Sequence, residues 1–200
     1  QLIIGATHDT DYQILSLATN LYQQQNLKRV YYSGYLPLNK SDKRLPALTT
    51  PPLKRENRLY QADWLFRFYA FSIDEIVNDK FPHLDLDVDP KLGYALRNPH
   101  LFPVDINTAS YELLLRVPGI GPKSAQMIVM ARRHSRVTLT GLKKFGLVMK
   151  RAQYFITCKE LQMPTINELA PSGVKRQILL SEKLPRKKVA KQGIQLNLFD

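Results

Sequence analysis

Between Val117 and Ala125 the chain reads Val-Pro-Gly-Ile-Gly-Pro-Lys-Ser-Ala, and neither one helix nor one strand can run through it. Pro118 pushes Val117 out of the helical region, so it ends a helix running through Tyr111, Leu114 and Leu115 that Thr108 or Asn107 can cap. Gly119 and Gly121 flank one apolar residue. They let the backbone adopt positive φ and come within hydrogen-bond distance of another backbone, while Ile120 pins the turn into the core. Pro122 opens a second helix at its first position, with Lys123 in the first turn and Ala125, Ile128 and Val129 on the inner face. The N–H groups of Gly119, Gly121 and Lys123 then stand unpaired at a helix N-terminus, whose partial positive charge suits a phosphate oxygen. Such a contact reads the nucleic-acid backbone and not its bases. Arg132 and Arg133 extend the positive surface at the far end.

From Asp105-Ile106-Asn107-Thr108-Ala109-Ser110 through Arg132 the sequence resembles the helix-hairpin-helix family of bacterial DNA-uptake and repair modules. The resemblance implies sequence-independent DNA binding by Gly119, Ile120, Gly121, Lys123, Ser124 and Arg132. The alternative is a Pro-Gly turn between two core helices with no ligand. Such modules usually occur in pairs, and Leu139 to Ile156 offers a second hairpin through Gly146, Lys150 and Arg151. Val148 stands where the second glycine would be, so phosphate contact and a structural role both remain open there.

The charge agrees with a polyanionic partner. Lys and Arg total 29 against 17 Asp and Glu, a formal net charge of +12; nucleic acid is the first expectation and an anionic membrane surface the second. No apolar run approaches the roughly 20 residues of a membrane span, and Gln1 opens neither a signal nor a transit peptide, so a cytoplasmic location is expected. The chain starts inside an apolar run, Leu2-Ile3-Ile4-Gly5, which suggests a fragment. Cys158 is the single cysteine and excludes an internal disulfide or a thiolate cluster built from this chain alone. The four histidines lack ligand spacing, so no metal site is expected.

The fold class expected is mainly α: a tandem helix-hairpin-helix domain preceded by a short α/β segment, the remnant of a partial β/α barrel. Residues 1–40 read as strand, helix and strand, with Leu2 to Ala6 and Val30 to Leu36 as the strands. Residues 41–54 carry Pro46, Pro51 and Pro52 and read as a linker. Residues 55–104 form a helical connector, starting with an amphipathic helix through Leu59, Ala62, Leu65, Phe66 and Tyr69. Ser72 with Glu75 has capping-box spacing, and Asp89-Pro90 is a further helix start. Residues 105–160 hold the two hairpins, and 161–200 read as a basic, disordered tail.

Gly5 to Leu15, Arg29 to Leu38 and Arg58 to Leu65 resemble the C-terminal half of radical SAM proteins assigned to DNA modification or repair. That resemblance implies S-adenosylmethionine and a 4Fe-4S cluster, held by a three-cysteine motif in a preceding part, and radical chemistry on DNA. It places Gly5, Thr7 and Asp9 where a barrel strand meets its loop, lining a cofactor or substrate cavity. Within this chain no catalytic residue, cofactor or metal is expected, because Cys158 alone cannot hold a cluster. Base-excision glycosylases place a catalytic lysine where Lys123 stands, but they also need a later aspartate, and none follows Asp105 before Asp200. Lys123 therefore reads as a phosphate contact. A non-catalytic DNA-binding module or a protein-interaction adaptor is the alternative function. The C-terminus, Gln195-Leu196-Asn197-Leu198-Phe199-Asp200, is similar to peptides that dock on the bacterial sliding clamp, with Gln195, Leu196, Leu198 and Phe199 as the contacts.

Overall fold

A parallel pair of strands opens the chain in the computed structural model, which describes residues 1–36, 45–46 and 50–183. β1 (Leu2–Ile4) and β2 (Tyr32–Gly34) pair in the register Leu2 to Tyr32, Ile3 to Ser33 and Ile4 to Gly34. Parallel strands need a crossover, and α1 (Asp11–Gln24) supplies it. Thr10 and Gln13 close a reciprocal capping box at its start. Both strands are shorter than the sequence predicts, and the outer edge of β2 is taken by side chains and not by a third strand among the described residues.

Those side chains come from α2 (Leu53–Phe68). The Tyr60 hydroxyl accepts from the Tyr32 N–H at 3.0 Å and donates to the Tyr32 carbonyl at 2.9 Å. The Gly34 N–H donates to Glu56 Oε2 at 2.8 Å. Three backbone groups that would otherwise seek a ladder partner are thereby satisfied. Behind the sheet, buried Asp63 of α2 accepts from the Tyr22 hydroxyl of α1 at 2.6 Å. Burial, reinforced by this bond, pushes the Tyr22 phenol up to about 12. At the other end of α1, buried Asp11 accepts from Arg55 Nε at 2.6 Å and from the Leu84 N–H at 2.8 Å. One carboxylate thus ties α1, α2 and the chain beyond α3 (Ile73–Ile76) together.

The rest is mainly helical. Ser72 and Glu75 form the expected capping box on α3, and Asp89 caps α4 (Pro90–Arg97) with Pro90 in its first turn. β3 (Val104–Asp105) and β4 (Ile156–Thr157) pair in parallel and bracket the hairpin helices α5 (Tyr111–Arg116), α6 (Pro122–Ala131), α7 (Leu139–Lys144) and α8 (Met149–Ala152). Ser110, not Thr108 or Asn107, caps α5, accepting from the Leu113 N–H at 3.1 Å. Asn107 is occupied elsewhere: its amide exchanges two hydrogen bonds with the backbone of Val137 and joins the hairpins. The architecture is mainly α with a short α/β segment and two small parallel sheets.

One expectation is corrected at the end of the chain. The segment from 161 is not a tail as far as Lys183. It forms α9 (Ile166–Lys183), bent at Ala170 with φ +58 ahead of Pro171, and its Ile166, Val174 and Ile178 are fully buried in a core shared with the rest of the molecule. The apolar spacing from Ile166 to Ile178 is helical, but the flanking lysines and the internal Pro-Ser-Gly mask it. The clamp-like residues Gln195, Leu196, Leu198 and Phe199 lie outside the described residues. Ile178→Ala is expected to destabilise the protein by about 2–4 kcal/mol in urea denaturation, whereas a tail residue would give no change.

Candidate nucleic-acid interface

α5 ends at Arg116, and the turn closes with the Ile120 N–H donating to the Val117 carbonyl at 3.1 Å. Gly119 has φ +89, a conformation that disfavours side chains. A Cβ there would also lie 2.6 Å from the Val148 carbonyl oxygen and 3.2 Å from the Ala152 nitrogen. The neighbouring backbone that Gly119 admits is therefore the second hairpin, whose Val148 N–H donates to the Gly119 carbonyl at 2.9 Å. Gly121 has φ −97 and is the N-cap of α6. Among the described residues, the N–H groups of Gly119, Gly121 and Lys123 have no hydrogen-bond partner. They remain available at the positive end of the α6 dipole.

The side chains divide into two groups. Lys123 is exposed, with no ion pair among the described residues; Lys150 is exposed and donates to the Ser181 carbonyl at 3.1 Å. Gly146 is exposed with φ +76 and open space around it. The remaining expected contacts are committed inside the protein. Ile120 is 1% exposed and anchors the turn. Ser124 is buried, with its hydroxyl donating to the Phe145 carbonyl at 2.9 Å. Arg132 donates to the Ala109 carbonyl at 2.5 Å and the Ile106 carbonyl at 3.3 Å, holding the entry to α5. Arg151 pairs with Asp89 at 2.5 Å and Glu182 at 2.6 Å, locking α8 to α4 and α9. Val148, in place of a second glycine, is 52% exposed at the tip of the second hairpin.

Sequence reading missed the neighbour of the turn. The two hairpins face α2 and the start of α4 across a cleft of about 460 Å³, lined by the turn backbone on one side and by Gln61, Trp64, Leu65 and Tyr69 on the other. Lys91 lies in its wall, 8% exposed, with Nζ donating to the Ile120 carbonyl at 2.5 Å and 4.7 Å from the centre of the Tyr69 ring. Burial, with repulsion from Arg116 and Arg151 and against the attraction of Asp89, lowers this amine to about 7. A lysine at the second position of a capped helix ordinarily reads as solvated, and only the tertiary position of the hairpin buries this one. Arg116 supports the same corner: it forks onto Glu75 at 3.0 and 2.9 Å, donates to the Tyr69 and Ala70 carbonyls, and stacks over Phe71.

At the N-terminal end, Gly5 (φ +89), Thr7 and Asp9 line one groove of about 440 Å³ beside β1, and the Thr7 hydroxyl donates to Asp9. Among the described residues no group of three or more His, Cys, Asp or Glu is placed to hold a metal, and no helix is long and apolar enough to cross a membrane.

Residues 102–145 match the family model of the helix-hairpin-helix motif, which spans the first hairpin and the first helix of the second. Neither the curated proteins nor the solved structures gave a match. The chain carries a helix-hairpin-helix motif, and that motif supports nucleic-acid binding.

Two measurements check this geometry. Gly119→Ala adds backbone strain and a clash with backbone, so thermal or urea denaturation is expected to show a loss of about 3 kcal/mol or more. Gly146→Ala meets no neighbour and is expected to cost about 1–2 kcal/mol. Lys91 makes stability depend on pH. Between pH 7 and the ordinary lysine value of 10.5 the unfolded chain binds a proton that the folded chain has lost. Stability therefore rises with pH across that window, by up to about 1.4 kcal/mol per pH unit. Lys91→Met is expected to remove this increment when the two proteins are compared at matched pH.

Proposed function

We propose that this chain binds DNA without reading its sequence, as the DNA-engaging part of a radical SAM DNA repair or modification protein. The observation that carries the DNA-binding reading is the set of free N–H groups on Gly119, Gly121 and Lys123 at the start of α6, within the matched helix-hairpin-helix segment. Lys123 adds a point charge beside them, and Lys150 does the same for the second hairpin. The net charge of +12 adds long-range attraction for a polyanion.

The radical SAM context rests on resemblance, and the position of Gly5, Thr7 and Asp9 at the end of a parallel strand, around a groove, is compatible with it. Cys158 is buried and is the chain's single thiol, so a three-thiolate cluster does not fit this chain, and its ligands would belong to another segment. Docking on a sliding clamp through Gln195, Leu196, Leu198 and Phe199, and a cytoplasmic location, complete the proposal.

The test is fluorescence anisotropy of a labelled duplex against salt, comparing the wild type with Lys123→Glu. The wild-type salt slope should correspond to several phosphates at roughly 0.9 per contact, independent of base sequence. Lys123→Glu should weaken binding about tenfold and reduce the slope by about one to two contacts. Unchanged affinity in the variant would remove the hairpin from the interface.

A further inference from the structure

The cleft beside the hairpin is set apart from the molecule's other grooves by the chemistry of its walls and not by its size. At about 460 Å³ it lies in the size range of small-molecule sites, and its two walls differ in chemistry. One wall is formed by the hairpins, the turn Gly119-Ile120-Gly121 with Val148 and Arg151 beside it. The other is α2, with Trp64 at 55% exposure resting on the Phe68 ring at a centroid distance of 4.2 Å. A single exposed tryptophan is unremarkable by itself. Here it stands across the cleft from the phosphate-binding turn.

The polar groups in the cleft are mostly donors. The Gln61 oxygen is occupied by Arg58 at 2.8 Å, which leaves its NH₂ group to donate. Lys91 has spent one N–H on the Ile120 carbonyl and keeps further donor capacity in a site where it is nine-tenths buried. Asp89 also borders the cleft, but it is held by Arg151 at 2.5 Å and by the Leu92 N–H at 3.1 Å, so it opposes a neighbouring phosphate only weakly. A planar ring with acceptor atoms on its edge fits these walls: stacking against Trp64, acceptors toward Gln61 and Lys91, and a backbone phosphate on the turn.

We propose that this cleft receives one unstacked base of a DNA strand whose phosphates lie on the hairpins. The inference rests on the DNA-binding reading above and deepens it. Stacking on an aromatic face tolerates every base, so the cleft keeps the sequence independence of the hairpin. Removing a base from the duplex stack costs least where it is already unpaired. The protein therefore prefers a duplex with a bulged or mismatched base to a fully paired one.

Trp64 is the only tryptophan in the chain, so its emission reports on the cleft directly. The experiment titrates the full chain with a labelled duplex, fully paired or carrying one bulged adenine, and records label anisotropy for binding and tryptophan emission for occupancy. The bulged duplex should bind about tenfold tighter, as expected for one base–aromatic stack, and should quench Trp64 well beyond the paired duplex. Trp64→Leu should bring the affinity ratio of the two duplexes close to one, and Trp64→Phe should restore part of it. Both substitutions sit on the exposed face of α2 and leave its buried Leu59, Ala62 and Leu65 in place. Equal binding of both duplexes with unchanged tryptophan emission would overturn the cleft assignment and leave the hairpin reading intact. Absence of binding to either duplex would overturn both.

Discussion

The approach of two backbones at Gly119 holds the rest of the arrangement in place. With no side chain at that residue, the Val148 N–H reaches the Gly119 carbonyl, and the two hairpins share one turn-to-turn contact. That contact fixes the direction of α6 and so the direction in which its first N–H groups point. Ile120 behind the turn and Lys91 beneath its carbonyl hold it from the other side. The turn leaves the N–H groups of Gly119, Gly121 and Lys123 without partners among the described residues, which a folded chain ordinarily avoids. Packing around the turn over-determines its conformation and makes that exception stable.

Buried polar groups do the joining elsewhere. Asp11 and Asp63 fasten the strand–helix–strand unit to α2, Arg116 fastens α2 and α3 to the first hairpin, and Arg151 fastens the second hairpin to α4 and α9. Each is charged, largely withdrawn from solvent and paired in more than one direction, the condition under which burying a charge does not unfold a protein. The same kind of bond engages Ser124, Arg132 and Arg151, which the sequence pointed to as DNA contacts, with partners inside the protein. Arginine's planar fork suits carbonyl and carboxylate clamps as well as phosphate, and composition does not distinguish the uses.

The sequence made local grammar legible and tertiary choice illegible. The Pro-Gly-Ile-Gly-Pro turn, the Ser72–Glu75 box and the Asp89-Pro90 start follow from backbone rules acting over a few residues, and the structure has all three. Ser110 displaced two nearby candidates as the cap of α5, because Asn107 serves a partner 30 residues away that no local pattern announces. α9 was hidden by its charge and its bend. The cleft could not be read at all, since its walls come from α2, α4 and both hairpins, and a lysine becomes a buried amine only when another segment covers it.

The closure of β2 by Tyr60 and Glu56 gives the small N-terminal sheet a direction of growth. A sheet with both edges open could be enlarged from either side; here α2 acts as a stopper at one edge. Any strand that joins this sheet, whatever chain it belongs to, can add only beside β1, the side on which the groove of Gly5, Thr7 and Asp9 opens. The same helix borders the cleft through Gln61, Trp64 and Leu65, so a single element both closes the sheet and walls the cleft beside the hairpins.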